Sequence, residues 1–185
     1  MEKNKPLELA LDLLKHSNVV CNNEYRFVTP DFGIVISFAN MESHLFRLGQ
    51  PYRLKEGRII RGLRGKARII INLIEYTVYP QTIVTFIPGS IVELLEFTPD
   101  YDFQMIAVDK DFLPLLRRDQ LFESHVRQNL VTRVTDTEWK LSDAYFTLIW
   151  ETVQEKPFRR EVVQHLLAAL LHNICLLYTS PSPRD

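Results

Sequence analysis

YTVYPQTIVTFIPGSIVELLEF, residues Tyr76–Phe97, decides the fold. β-branched and aromatic residues alternate along it, the pattern breaks once at Pro88-Gly89-Ser90, and then it resumes. Alternation of this kind marks strands, and the Pro-Gly-Ser break reads as the turn of a hairpin. The same texture continues on both sides, in EYRFVTPDFGIVISFA, HLFRLG, GRIIRGLRG, ARIIINLIEYTV and DFQMIAV, with short turns rich in Gly, Pro, Asn and Asp. Parallel strands would need helical crossovers of a dozen or more residues, and these links are too short to hold them. The expectation is a mainly β unit rolled into a jelly-roll barrel over residues 25–116.

Helical patterns flank the strands. Residues 1–24 form an N-terminal arm in which Pro6 opens a short amphipathic helix over residues 6–15, with Leu7, Ala10, Leu11 and Leu14 on one face. After Val108, DKDFLPLLRRDQLF suggests a short helix interrupted at Pro114. Thr135 and Glu138 form a capping box ahead of WKLSDAYFTLIWETVQ, and that helix should stop near Lys156 because Pro157 cannot continue it. A second helix is expected from about Arg159 to Leu177, giving a helical element over residues 117–177. Within it Val163, Leu167, Leu170 and Ile174 recur at alternating spacings of four and three, as in a coiled-coil seam, which makes them candidates for a dimer interface. The same spacing suits a helix packed on its own barrel, and both readings stand at this point. Trp139, Tyr145 and Trp150 read as packing anchors. Residues 178–185 end in SPSPRD, which resembles translated sequencing-adapter sequence, and are expected to be a non-native tail.

Composition narrows the function classes. The 185 residues carry a net charge of -1 and are 46% hydrophobic, which suits a globular domain and argues against a chain that binds nucleic acid or anionic membrane with its whole surface. No apolar run approaches the roughly 20 residues that cross a bilayer. The charged opening MEKNKPLELALDLLKH is unlike a signal peptide, and Cys21 and Cys175 read as reduced thiols. The expectation is a cytoplasmic protein with no membrane partner.

The chemistry is legible mainly by what is missing from the strands. Metal-binding barrels of the cupin type place histidines and a glutamate on one strand and a further histidine just after a Pro-Gly turn, so that imidazoles converge on one ion. Here Ile91 and Val92 follow the turn, and the histidines, His16, His44, His125, His165 and His172, all lie outside the stretch between Arg47 and Ser124. No metal and no cofactor are expected. Ser90 has no strand-to-helix elbow around it, and GLRGKAR lacks the lysine-serine or lysine-threonine ending of a phosphate loop.

The stretch YRLKEGRIIRGLRGKARIIINLIEYTVYPQTIVTFIPGSIVEL, the order of elements and the paired terminal helices resemble the N-terminal sensor domain of AraC/XylS-type transcription regulators, over about residues 25–177. The resemblance implies a cupin-like jelly-roll barrel that binds a small-molecule effector such as a sugar, a two-helix C-terminal dimerisation element giving a homodimer, and an N-terminal arm that closes over the pocket. It also implies that DNA is gripped only by a separate pair of helix-turn-helix units, absent from this chain. Two other classes remain open: a metal-independent cupin enzyme such as a sugar isomerase or epimerase, with Tyr76, Tyr79 and Glu93 as acid and base, and a purely structural dimerisation module.

Candidate ligand-binding residues are polar side chains set among apolar strand positions. Asn72 lies among aliphatic neighbours, where a buried amide needs a partner, either a ligand or a neighbouring loop. Arg58 and Arg64 share strand parity, and a guanidinium clamps a carboxylate or sugar hydroxyls with two prongs. The resemblance implies that Arg64 faces the effector; a solvated hairpin tip with Arg61, Lys66 and Arg68 is the alternative. Glu93 and Glu96, three apart on one strand, are expected on opposite faces, with one of them inward. Gln104 in DFQMIAV completes the set.

Overall fold

The computed structural model describes residues 5–113 and 130–179. Two sheets stack face to face. The five-stranded sheet runs β1 (Leu7–Leu9), β4 (Pro51–Leu54), β9 (Ile91–Phe97), β6 (Ala67–Ile71), β7 (Ile74–Val78). The six-stranded sheet runs β11 (Val131–Arg133), β8 (Thr82–Phe86), β5 (Gly57–Arg64), β10 (Asp102–Val108), β3 (Phe32–Val35), β2 (Arg26–Val28). Two helices follow, α1 (Asp136–Gln154) and α2 (Arg160–Thr179). The expected jelly roll is therefore present, as two packed sheets rather than one closed barrel. The expected short helix around Pro114 and the tip of the adapter-like tail lie outside the described residues.

The link at Pro88-Gly89-Ser90 is not a hairpin. It carries the chain from β8 in one sheet to β9 in the other. The links β5–β6, β7–β8 and β9–β10 also change sheet, and this repeated crossing is what makes the sandwich. A corner and a hairpin turn use the same residues, so local sequence does not separate them. At the β5–β6 corner Gly65 has φ +62, and a Cβ there would lie 2.7 Å from the Tyr101 backbone, so only glycine fits. A two-residue hairpin joins β6 to β7 through Asn72 (φ 48) and Leu73 (φ 75), whose left-handed backbone conformation suits the right-handed twist of the paired strands.

The N-terminal arm also differs from expectation. Leu7–Leu9 is a strand, paired parallel with β4, and only Leu11–His16 is helical, as a 3-10 helix. Backbone pairing with β4 outweighs the helical periodicity of a segment too short to nucleate a stable helix. The arm is fixed further on by the Leu11 amide, which donates to Glu56 Oε1 at 2.7 Å.

Apolar side chains fill two layers. Leu54, Ile69, Ile71, Val84 and Val92 lie between the sheets. Phe32, Ile59, Ile83 and Ile106 on the other face of the six-stranded sheet meet Phe146, Ile149, Leu167 and Leu170 of the helices. Central strand β8 is consequently buried at every position. α1 starts where expected, with Thr135 and Glu138 exchanging hydrogen bonds in a capping box. Arg160 at the start of α2 pairs with Asp31 at 2.5 Å, beside the β2–β3 turn, and lies over the Phe112 ring. Burial raises the Asp31 carboxyl, but the hydrogen bonds from Arg160 and Thr29 outweigh it and hold the group below its ordinary value.

Val163, Leu167, Leu170 and Ile174 are all buried inside this chain. The seam expected between two copies is occupied by the chain's own sheet and α1, so these four are not an interface. Replacing Leu167 by Ala should cost about 2–5 kcal/mol in urea unfolding, the range for truncating a fully buried leucine. An effect below about 1 kcal/mol would contradict the packing of α2 on the sheet.

Candidate functional site

A cavity of about 130 Å³ opens between the two sheets. Ile60, Val84, Phe86 and Met105 form its wall on one side and Leu54, Ile69, Val92 and Leu94 on the other. Leu9, Ala10, Leu11 and Leu14 cover it, and the Phe38–Phe46 segment borders it, with Phe38 stacked on Phe103 at 4.5 Å. The lining is almost wholly apolar, and its polar heads belong to Arg26, Arg58, His44 and Tyr101.

Arg58 reaches the cavity because β5 alternates. Arg58 and Ile60 face inward, while Ile59 and Arg61 face the helices. The Arg58 guanidinium is buried, 3.4 Å from Glu56 Oε2, with Nη1 3.9 Å from Met105 Sδ and Nε without a partner. Burial pulls its pKa down, and Glu56 opposes that shift. Glu56 also holds the Leu11 amide, so one buried carboxylate ties the arm to the cavity wall.

Arg26 was not among the expected site residues. It lies on the short edge strand β2 and is 4% exposed. Its Nη1 donates to the Ser43 carbonyl at 2.6 Å and lies 3.7 Å from Met41 Sδ. Nε and Nη2 have no partner among the described residues. Burial lowers its pKa, and Cys21 and Glu42 act weakly in the other direction. The available signal was parity: Arg26 shares a face with Val28, whereas Phe27 packs toward the helices.

The other expected residues do not line the cavity. Asn72 is in the exposed hairpin turn, and its Oδ1 accepts from the Ile91 amide at 2.9 Å. The aliphatic run around it is two strands and their turn, which explains the misreading. Arg64 is at the exposed end of β5 and pairs with buried Asp102 at 3.1 Å, the hairpin-tip alternative except that the tip is a corner. Glu93 is on the outer face of the five-stranded sheet, opposite Ile70. A bulge near Leu95 puts Glu96 on that same face, where it meets Arg68 at 2.9 Å, so the two glutamates do not point to opposite sides. Gln104 faces the helices and accepts from Arg61. Tyr76, Tyr79 and Glu93 all lie outside the cavity, so the acid-base set of an isomerase is not assembled there.

Arg61, expected near a solvated hairpin tip, departs from that reading. Its side chain is fully buried between β5 and α1. It donates to Gln104, to Asp143 Oδ1 at 2.9 Å and to the Trp139 carbonyl at 3.3 Å. The guanidinium carbon lies 4.0 Å from the Trp139 ring centroid and 5.1 Å from that of Phe146. Among the described residues no group of three or more His, Cys, Asp or Glu side chains is placed to hold a metal ion.

No family profile and no curated protein matches this sequence. Solved structures do. Apo ToxT from Vibrio cholerae superposes with a TM-score of 0.50 at 11% identity, over 89% of this chain and 60% of that one. The AraC-like transcriptional activator CuxR gives 0.49 at 8% identity, over 71% of this chain and 45% of that one. ToxT with bound unsaturated fatty acid gives 0.41 at 13% identity, over 71% and 50%. This chain thus spans between about half and three-fifths of the regulators it matches. The likeness to apo ToxT speaks for the fold: a jelly roll followed by helices.

Removing one side of the Arg61 pair isolates its role. Asp143→Ala should destabilise the protein by about 1–3 kcal/mol, because it strips a charged partner from a buried guanidinium. Arg61→Met combined with Asp143→Ala should recover part of that loss in denaturant titrations. Strictly additive losses would show that the pair is not coupled.

Proposed function

We propose that this chain is the ligand-sensing part of an AraC-type transcription regulator, with a small effector held between the sheets. The observation that carries this reading is the apolar cavity itself, enclosed by both sheets and covered by an arm whose anchor, Glu56, also touches cavity-lining Arg58. An effector in that position contacts the arm and both sheets together, so its affinity depends on how they are arranged. That dependence is what a sensor requires, since a ligand shifts an equilibrium only by its difference in affinity for two states. DNA contact belongs to a part of the regulator outside this chain.

The lining favours an apolar effector over a sugar. A sugar would bury several hydroxyls against walls with few donors or acceptors, at about 1–3 kcal/mol for each one left unpaired. ToxT, which shares the fold, is known with a bound unsaturated fatty acid, and an apolar guest is in keeping with that.

We also propose a homodimer, through a face different from the one the α2 spacing suggests. Leu141 and Leu148 are exposed on α1, two turns apart on one stripe, while the seam residues of α2 are buried. A ligand present at 100 times its Kd adds about 2.7 kcal/mol to stability, so a screen of apolar and polar small molecules should raise the melting midpoint by about 5–10 °C for at least one compound. A uniformly flat screen would count against the sensor. In sedimentation, Leu141→Glu with Leu148→Glu should convert a dimer to a monomer; a wild-type monomer at high concentration rules the dimer out.

A further inference from the structure

We infer that the cavity takes a compact monocarboxylate, its carboxylate on the Arg26 guanidinium and an apolar body of about one ring between the sheets. This rests on the sensor reading and names the chemistry of the effector.

The argument begins with an imbalance. A buried charge without a counter-ion costs several kcal/mol, and proteins supply a partner. Arg58 has one in Glu56. Arg26 has no ion pair among the described residues, Cys21 and Glu42 acting on it only from a distance, although its side chain is also buried and lines the same cavity. Its free atoms are specific: Nε and Nη2 lack partners, while Nη1 is tied to the Ser43 carbonyl. Nε–H and one Nη–H pair form a single edge of the guanidinium, the two-pronged edge that matches a carboxylate. The Ser43 bond holds the group in place and leaves that edge without a hydrogen-bond partner.

Charge and size set the rest. One unpaired guanidinium balances one negative charge, so a dianion such as a phosphate monoester would bring an excess charge into an apolar space. The cavity of about 130 Å³ is close to the ~150 Å³ apolar cavity that admits benzene. A long acyl chain exceeds that volume and would have to displace the Leu9–Leu14 cover. Val28, Phe38 and Met41 supply apolar contacts near the Arg26 strand and the bordering segment.

The test is calorimetric titration and thermal melting of the full chain with benzoate, benzyl alcohol, glucose and oleate, in wild type, Arg26→Met and Arg26→Lys. Benzoate should bind wild type at least tenfold more tightly than benzyl alcohol. Arg26→Lys keeps the charge but loses the edge, and should weaken benzoate tenfold or more. Arg26→Met should abolish the benzoate response while melting, without ligand, at or above the wild-type temperature, because it removes an uncompensated buried charge. A guanidinium that only supported the fold would instead lower that temperature. If Arg26→Met does not fold, the lysine variant and the alcohol comparison still decide. Equal binding of benzoate and benzyl alcohol, or benzoate binding unchanged in the Arg26 variants, overturns the carboxylate assignment and leaves a sensor for a neutral guest. Binding of glucose or oleate in place of benzoate also overturns it and leaves the sensor standing. Failure of all four, together with a flat broader screen, overturns both.

Discussion

The fully buried guanidinium of Arg61 is the constraint around which the domain is arranged. A charge at the middle of a sheet face is tolerable only if it is compensated, and here Gln104, Asp143 and the Trp139 carbonyl accept from Nη1 and Nη2 and the Trp139 and Phe146 rings cover the cation, while Nε has no partner among the described residues. Three of these residues, Trp139, Asp143 and Phe146, belong to α1, so the helix cannot leave the sheet without stranding the charge. Ile59 and Ile106 on the same sheet face then give α1 and α2 an apolar seat. The helices are therefore part of the sandwich core rather than an appended handle.

The strand that carries Arg61 also carries Arg58 on its opposite face. β5 thus has one buried arginine toward the cavity and one toward the helices, and it is hydrogen-bonded on both sides, to β8 and β10. Glu56, just ahead of β5, holds the N-terminal arm. Cavity wall, arm anchor and helix seat are consecutive parts of one segment, Glu56–Arg61. A guest against Arg58 and Ile60 lies against the strand whose other face supports α1.

Much of this was legible in the sequence, and the failures have physical causes. Strand content, the capping box at Thr135 and Glu138 and the breaker at Pro157 depend on local chemistry, and all were read correctly. Arg58 does line the cavity, but Arg64, with which it was grouped by strand parity, does not. Pro88-Gly89-Ser90 was misread because a corner and a hairpin look alike until the partner strands are known. Asn72 was misread because a turn of Asn-Leu gives no glycine signal within an aliphatic run. Glu96 was displaced by a bulge that no periodicity announces. The spacing of Val163, Leu167, Leu170 and Ile174 suited a dimer seam and a helix packed on its own barrel alike, because a stripe does not say which surface buries it. Arg26 was passed over and Arg61 was placed at a solvated tip because arginines are usually solvated, and only three-dimensional enclosure shows otherwise.

The claim that sandwich and helices share one core is tested most directly by amide hydrogen exchange on the whole chain. The account predicts that the central turns of α1 and α2 open with the same free energy as β5 and β10, as one cooperative unit. Helices that exchange at far lower free energy while β5 and β10 stay protected would contradict it.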